Sequence, residues 1–349
     1  MPVTITNPFR GSGLPDQTLY PESSAQAVNA LLALCPVHAA TPLIDAGSLA
    51  KAAGAARVCI KDERRRMGLG SFKALGAAYV IAHEAEQARR GDDWAQALTG
   101  RTYVTASAGN HGLSVAAGAR AFGAQAVIFL ADTVPEAFAT RLRDMGAQVE
   151  RAGETYEASM EAAAATAVAQ GWTLLSDGSW PGYTDLPHRV MEGYLQLAAE
   201  IVAQIDSPPT HILLQAGVGG LAAAVAAHAR LAWGDSPTII VVEPDAAPAL
   251  FDSIRAGHLV TSQGPVSSMG RLDCKTPSMI ALAGLARDAD QFVTITEDEV
   301  AAGVAVLAAQ GLMTTPSGGA GLAALLAGVP GIGPDAHVLA ILSEGSEDA

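Results

Sequence analysis

The chain has 349 residues, of which 50% are hydrophobic and 16% are charged, and it contains 36 glycines. This length exceeds the size at which one hydrophobic core usually stops growing, so we expect two domains that share an interface. The composition is typical of a compact α/β enzyme and excludes a disordered or fibrous chain. The formal net charge of −14 argues against nucleic acid as a partner, because phosphate backbones are bound by clustered Lys and Arg.

Targeting signals and metal-binding patterns are absent from the sequence. The N-terminal segment MPVTITNPFRGSG lacks a basic start followed by an apolar run, and no stretch of about 18 uninterrupted apolar residues follows it. Cys35, Cys59 and Cys274 form no CxxC pair and have no His nearby at metal-ligand spacing. We therefore predict a cytoplasmic protein with reduced thiols, no metal site and no membrane partner.

The first fifty residues are rich in Pro and small polar residues and predict a wrapping arm that contains a short helix. From Arg57 onward, short apolar runs alternate with longer Ala-rich amphipathic segments. This alternation predicts an α/β fold with mostly parallel sheets flanked by helices. The predicted strands are 58–61, 102–105, 126–130, 148–151, 173–176, 211–215, 239–243, 291–295 and 337–342. The predicted helices are 74–89, 113–122, 135–145, 156–169, 187–205, 221–232, 297–310 and 318–326.

Four turns carry the residues that could perform chemistry. The first is GLGSFKALG, where Lys73 opens an otherwise apolar helix. The simpler alternative is a lysine whose ammonium reaches the surface. The second is SAGNHG, which follows a predicted strand and places Ser107, Asn110 and His111 at the start of a helix. Such a helix N-terminus favours an anionic group. Taken alone, His111 is more typical of a structural histidine than of a catalyst.

The third turn, QAGVGG, brings the backbone of Gly217, Val218, Gly219 and Gly220 to the start of another helix and suits a phosphate group. It lacks the lysine of a nucleotide P-loop and the full GxGxxG of a dinucleotide site, which favours a phosphate that is not part of a nucleotide. The fourth turn, LSEG, ends the last predicted strand, where Ser343 could bind a ring nitrogen or simply terminate the strand.

In this order the four turns resemble the fold-type II pyridoxal-phosphate enzymes, the tryptophan synthase β-like superfamily. Within it, KDERRRMGLGSFKALG, DGSWPGYTDLPHRVMEGY and LLQAGVGGLAAAV are similar to diaminopropionate ammonia-lyases. The resemblance implies two domains, each an open and mostly parallel sheet flanked by helices. The larger domain would comprise 1–76 and 186–349, the smaller βαβ domain 77–185, with the active site between them. It also implies pyridoxal 5'-phosphate as cofactor, a small amino acid as substrate and a homodimer.

The resemblance assigns roles to individual residues. Lys73 would be the Schiff-base lysine, and Asp177 the carboxylate that acts as a base towards the L-isomer or holds a second substrate ammonium, although Asp177 also suits a turn or helix cap. The resemblance further implies that the cofactor is contacted by Asn110, Gly217, Val218, Gly219, Gly220 and Ser343. It implies that the substrate is contacted by Ser107, Ala108, Gly109 and His111. A neutral hydroxyl from Ser343 at the ring nitrogen would favour elimination over transamination.

Two departures from the family pattern bear on the substrate. The family turn carries an Asp where this chain has Ala108, which puts activity on the D-isomer in question. The segment 269–278 also differs, and its Arg271, Asp273 and Lys275 could bind a substrate carboxylate or form a solvated loop. We expect a lyase that removes ammonia from an amino acid such as 2,3-diaminopropionate. The alternatives are a serine, threonine or 3-hydroxyaspartate dehydratase of the same superfamily, and a non-catalytic or nucleotide-binding α/β protein.

Overall fold

A computed structural model describes residues 2–15, 17–89, 91–107 and 109–346. The strands are Val3–Thr6 (β1), Leu43–Asp45 (β2), Arg57–Asp62 (β3), Thr102–Ala106 (β4), Gln125–Leu130 (β5), Gln148–Arg151 (β6), Thr173–Leu174 (β7), His211–Gln215 (β8), Thr238–Pro244 (β9), Gln291–Ile295 (β10) and His337–Leu342 (β11). The helices are Gln26–Leu32 (α1), Gly47–Ala53 (α2), Lys73–Ala88 (α3), Asn110–Ala121 (α4), Glu136–Asp144 (α5), Tyr156–Gln170 (α6), Asp185–Gln204 (α7), Gly220–Trp233 (α8), Ala249–Ala256 (α9), Met279–Asp288 (α10), Glu297–Ala309 (α11) and Pro316–Ala327 (α12).

The larger sheet has seven strands in the order β1-β10-β9-β8-β11-β3-β2. Its five inner strands pair in parallel, whereas β1 and β2 pair antiparallel at the two edges. The central strands β8, β9 and β11 are mostly apolar and almost fully buried, as is typical of parallel strands covered by helices on both faces. The N-terminal arm therefore closes both edges of this sheet.

The smaller sheet has four parallel strands in the order β6-β5-β4-β7. All four strands come from residues 102–174, so this sheet is formed by a continuous stretch of chain between β3 and β8. Helix α4 packs on it from one side, and its own small core includes Val104, Val127, Phe129 and Ala163. The α/β fold class with two mostly parallel sheets is thus confirmed.

All nine predicted strands and all eight predicted helices are present, and their ends differ from the prediction by three residues at most. The sequence-based prediction missed the edge strands β1 and β2 and the helices α2, α9 and α10. Helix α12 illustrates why its boundaries were readable: the Thr315 hydroxyl accepts from the Gly318 amide, Pro316 occupies the first turn and Gly328 ends the helix. Within the described ranges, no helix combines the length and apolarity needed to cross a bilayer.

Candidate active site

Three of the four glycine-bearing turns follow the carboxyl ends of parallel strands. SAGNHG follows β4, QAGVGG follows β8 and LSEG follows β11, while Lys73 is the first residue of α3. Backbone contacts join two of these turns, because the Phe72 amide donates to the Ser343 carbonyl at 3.1 Å and Gly345 donates to the Gly70 carbonyl at 3.0 Å. The carboxyl ends of strands are where open α/β sheets bind ligands.

Lys73 and Asp177 form an ion pair between the two sheets: the Lys73 ammonium donates to a carboxylate oxygen of Asp177. Both side chains are largely enclosed, with 22% and 17% of their surface exposed. Burial opposes the charge on each, yet the attraction between them raises the pKa of Lys73 and lowers the pKa of Asp177. The pair is therefore charged, and Lys73 must lose its proton before its amine can act as a nucleophile.

The pair is surrounded by three neutral groups. Burial raises the pKa of the Tyr194 phenol to about 12 and that of the Cys274 thiol to about 12. Burial also lowers the pKa of His111, whose ring Nε2 donates to the Leu175 carbonyl at 2.8 Å. These groups provide a weakly polar surrounding in which the charges of Lys73 and Asp177 interact strongly.

The loop that carries Asp177 is fixed from two sides. On one side, the Ser176 amide donates a hydrogen bond to the Tyr183 hydroxyl at 3.0 Å. On the other side, Ser179 caps α10: its carbonyl accepts from the Met279 amide and its hydroxyl from the Ile280 amide, both at 3.0 Å. The Ser278 hydroxyl lies 2.7 Å from that of Ser179. These contacts fix the backbone on both sides of Asp177 and so fix the position of its carboxylate.

A second polar cluster lies beside Asn110. The Asn110 side-chain amide donates to Glu344, and the Thr315 hydroxyl donates to the same carboxylate. Arg271 contacts it as well, with Nη1 3.0 Å from Glu344 Oε1. Burial raises the pKa of Glu344, while the charge of Arg271 and the Thr315 hydrogen bond oppose that rise. Glu344 therefore orients the Asn110 amide across the cleft.

The QAGVGG turn forms an anion cradle at the start of α8. Gly219 has φ +96°, a left-handed conformation that favours glycine, and it precedes the first helical residue without a side-chain cap. Among the described residues, the amides of Gly217, Gly219 and Gly220 donate to no backbone or side-chain group, whereas the Val218 amide lies within reach of the Cys274 sulfur. Unpaired amides at a helix N-terminus bind phosphate. A phosphate-bearing cofactor that reacts with an amine thus fits the residues present.

The other residues assigned from the sequence lie around these groups. Ser343 is buried, and its amide donates to the Gly318 carbonyl at 3.2 Å. The Ser107 hydroxyl accepts from the Gly109 amide at 3.3 Å, which shapes the SAGNHG turn. Ala108 lies outside the described residues. The structure therefore brings the SAGNHG turn to the same cleft as Lys73, through His111 and Asn110.

Of the three charged residues in 269–278, only Arg271 reaches this cleft. Lys275 donates to the carbonyls of Ala246 and Pro265, at 2.7 and 2.8 Å, and pairs with Asp273. Asp273 also accepts from the Ser267 amide. Asp273 and Lys275 thus fold the loop on itself, whereas Arg271 faces Glu344.

Sequence reasoning missed three residues of the site: Tyr194, Cys274 and Glu344. Glu344 was within the motif LSEG, but the pattern drew attention to Ser343 instead. Tyr194 is one of several apolar-face residues of α7, and nothing local separates it from the core. Only the packing of α7 against α3 and α8 brings it to Lys73.

A family model for pyridoxal-phosphate dependent enzymes matches residues 34–344. The chain therefore belongs to this family, and its fold is that of the fold-type II enzymes. Its cofactor is pyridoxal phosphate. The motif order and the unpaired amides of the QAGVGG turn agree with that assignment.

Within the family, the chain is similar to ammonia-lyases and dehydratases. Diaminopropionate ammonia-lyase of Escherichia coli (strain K12) is 30% identical over 312 residues, which cover 86% of this chain and 78% of that protein. A serine dehydratase-like protein of Mus musculus is 29% identical over 298 residues, or 84% of each chain. The crystal structure of the Escherichia coli ammonia-lyase with an aminoacrylate-PLP azomethine reaction intermediate superposes with a TM-score of 0.88 at 29% identity, covering 100% of this chain and 94% of that one.

Proposed function

We propose that this protein is a pyridoxal-phosphate-dependent ammonia-lyase that converts 2,3-diaminopropionate to pyruvate and ammonia. The observation that carries the proposal is the Lys73–Asp177 pair beside the anion cradle of QAGVGG. A carboxylate already paired with one ammonium is suited to receive the second ammonium of a diamino acid. The similarity to diaminopropionate ammonia-lyases over most of both chains supports the same substrate.

The proposed roles follow the chemistry of each side chain. When bound, pyridoxal phosphate supplies the electron sink that stabilises negative charge at the substrate Cα. Lys73 holds the cofactor and moves a proton near Cα, and Asp177 acts as base or binds the departing amine. Asn110 orients the cofactor ring through its phenolic oxygen, and Ser343 faces the ring nitrogen.

The remaining assignments concern the two anionic ends of the ligands. The amides of Gly217, Val218, Gly219 and Gly220 bind the phosphate. Ser107, Ala108 and Gly109, which precede α4 in the sequence, bind the substrate carboxylate. His111 holds that turn against the Asp177 loop through Leu175. We also propose the domain division 1–76 with 186–349 and 77–185, with closure of the cleft excluding water.

The cellular setting is proposed on separate grounds. The cysteines at 35, 59 and 274 are free thiols, which suits a reducing cytoplasm. The family resemblance supports a homodimer, which sedimentation analysis would test. A monomer at micromolar concentration would contradict that part of the proposal.

The substrate is tested by steady-state assays that offer 2,3-diaminopropionate, serine, threonine and 3-hydroxyaspartate side by side. We expect the highest kcat/KM with L-2,3-diaminopropionate and no turnover by Lys73→Ala. A clear preference for a hydroxy amino acid would replace the proposal with a dehydratase. The serine dehydratase-like relative makes that the second candidate.

The isomer preference is tested with the two enantiomers of 2,3-diaminopropionate. Because the family places an Asp for the D-isomer where this chain has Ala108, we expect the L-isomer alone to react. Ala108→Asp should introduce activity on the D-isomer. Equal rates for both isomers in the wild type would contradict the assignment of Asp177 as the base for the L-isomer.

The class of protein is tested by colour and covalent capture. The purified protein should absorb in the visible region, and borohydride treatment should fix the cofactor on Lys73. A colourless protein that takes up no added pyridoxal phosphate would favour a non-catalytic or nucleotide-binding protein. That outcome is independent of which amino acid is the substrate.

A further inference from the structure

Tyr194 is a fully buried tyrosine on α7 whose hydroxyl has no hydrogen-bond partner of normal geometry among the described residues. Its side chain is 1% exposed, and its hydroxyl makes no hydrogen bond of normal geometry to any described residue. The Lys73 ammonium lies close enough to interact with it electrostatically. Buried hydroxyl groups in folded proteins are almost always paired, so an unpaired one calls for an explanation.

Three other tyrosines of this chain have a partner for their hydroxyl. The Tyr103 hydroxyl donates to Glu84 at 2.6 Å, and the Tyr183 hydroxyl donates to the Leu174 carbonyl at 2.8 Å. The partially enclosed Tyr20 donates to the Gln17 carbonyl at 2.9 Å. Tyr194 thus differs from these three tyrosines.

The position of the Tyr194 ring is fixed by two glycines. A Cβ atom at Gly76, one turn after Lys73, would lie 2.7–2.9 Å from the ring and its hydroxyl, so the close approach requires glycine there. A Cβ at Gly220 would lie 3.5 Å from the opposite edge of the ring. The ring also packs edge-on against Phe72, with centroids 5.0 Å apart. Tyr194 therefore lies between the lysine helix α3 and Gly220, the last glycine of the phosphate cradle.

We propose that the Tyr194 hydroxyl is a ligand of the cofactor and donates its hydrogen bond to a phosphate oxygen. The inference rests on the cofactor site of the proposed function and adds a side-chain donor to the backbone amides of residues 217–222. Because burial raises the pKa of Tyr194 to about 12, the phenol keeps its proton at neutral pH and remains a donor. Asp177 also interacts electrostatically with this hydroxyl, but Gly220 of the QAGVGG cradle lies against the Tyr194 ring, which favours a phosphate held in that cradle as the acceptor.

The test compares Tyr194→Phe with the wild type, because this change removes the hydroxyl and keeps the ring between Gly76 and Gly220. Dissociation constants are measured by titrating cofactor-free protein with pyridoxal phosphate and, separately, with pyridoxal, which lacks the phosphate. We expect Tyr194→Phe to weaken binding of pyridoxal phosphate by about tenfold to a hundredfold, the range for a hydrogen bond to a charged group. Binding of pyridoxal should be unchanged.

Thermal unfolding of the cofactor-free proteins provides a second measurement. Removal of an unpaired buried hydroxyl should leave the melting temperature of Tyr194→Phe equal to or above that of the wild type. The matched control is Tyr103→Phe, which loses the bond to Glu84 and should lower the melting temperature without changing cofactor affinity.

The outcomes separate this inference from the proposed function. Unchanged affinity of Tyr194→Phe for pyridoxal phosphate, or equal loss for pyridoxal, would overturn the phosphate contact. A wild-type protein that fails to bind pyridoxal phosphate at all would instead overturn the cofactor site itself.

Discussion

Lys73 and Asp177 are separated by 104 residues in the chain, yet their side chains form an ion pair between the two sheets. Each is the strongest electrostatic partner of the other, and each keeps the other charged against the cost of burial. The same contact that stabilises the resting site therefore suppresses the nucleophilic amine. Entry of a cationic substrate gives Asp177 a competing partner, which would release Lys73 to lose its proton.

Asp177→Asn tests this coupling. Without the carboxylate, burial dominates and the pKa of Lys73 falls, so a larger fraction of the amine is neutral at pH 7. Apoprotein carrying Asp177→Asn should react with pyridoxal phosphate faster than the wild type, measured by stopped-flow absorbance. Turnover of the loaded variant should fall by about 10²- to 10⁴-fold, the usual contribution of a general acid or base.

The surface variant Asp92→Asn serves as the control for that experiment, because Asp92 is fully exposed and pairs with Arg89 rather than with a residue of the cleft. Its cofactor kinetics and turnover should match the wild type. Slower cofactor uptake by Asp177→Asn than by the wild type would reject the proposed suppression of Lys73.

Arg271→Ala tests the second cluster, in which Arg271 opposes the effect of burial on Glu344. Loss of the guanidinium should raise the pKa of Glu344 further, so that Glu344 protonates at higher pH and ceases to orient Asn110. We expect the acid limb of the kcat/KM profile to move upward by about one pH unit or more.

Lys275→Ala is the matched control for Arg271→Ala, because Lys275 ties the same loop through Ala246, Pro265 and Asp273 without contacting Glu344. An identical shift in both variants would mean that loosening of the loop, and not the charge of Arg271, causes the change. A selective rise in KM for 3-hydroxyaspartate in Arg271→Ala would instead indicate that Arg271 binds a substrate carboxylate.

Local pattern made part of this site predictable. The SAGNHG and QAGVGG turns each combine a strand end with glycines at a helix start, and Lys73 opens an apolar helix after GLGSF; such combinations are visible within about ten residues of sequence. The pairing of Arg271 with Glu344 spans 73 residues, and the Ser179–Ser278 contact spans 99. These contacts depend on how the helices pack, which no local pattern encodes. The edge strands β1 and β2 were missed for another reason, since strands of three or four residues show little alternation.

A buried ion network beneath the segment that leads to Lys73 should control stability in acid. Glu200 lies 2.6 Å from Lys61 Nζ and 2.7 Å from a guanidinium nitrogen of Arg66. Burial alone would raise the pKa of Glu200, but these two cations lower it to about 2. A depressed pKa stabilises the fold above the ordinary carboxyl pKa of 4.5, and this contribution is lost as the pH falls towards 2.

Glu200→Gln should therefore lower the free energy of unfolding at pH 7 by about 3 kcal/mol, because Lys61 and Arg66 remain buried with less compensation. Its stability should also change less than that of the wild type between pH 4.5 and 2. Urea unfolding across this range measures both effects. As a control, Glu136→Gln alters an exposed ion pair and should leave the free energy of unfolding at pH 7 unchanged. A Glu200→Gln protein that loses as much stability between pH 4.5 and 2 as the wild type would refute the lowered pKa of Glu200.

Glu243 should have the opposite pH dependence. It is fully buried at the end of β9, where its two oxygens accept from the amides of Leu250 and Phe251 at 2.8 and 2.7 Å. Burial raises the pKa of Glu243 to about 8, and the two amides only partly oppose that rise. Because the folded-state pKa exceeds the ordinary 4.5, the carboxyl contributes most stability below pH 4.5 and loses it as the pH rises through 8.

Glu243→Gln removes this titration while keeping one acceptor for the α9 amides. At pH 5 the variant should be less stable than the wild type, because its NH₂ group replaces the second acceptor. That deficit should shrink steadily towards pH 8, since only the wild type continues to lose stability from this group. The free energy of unfolding of the variant is subtracted from that of the wild type at pH 5, 6.5 and 8. This subtraction cancels the contribution of the histidines, which both proteins share. The exposed variant Glu161→Gln should show no such trend, and a deficit for Glu243→Gln that stays constant from pH 5 to 8 would contradict the raised pKa.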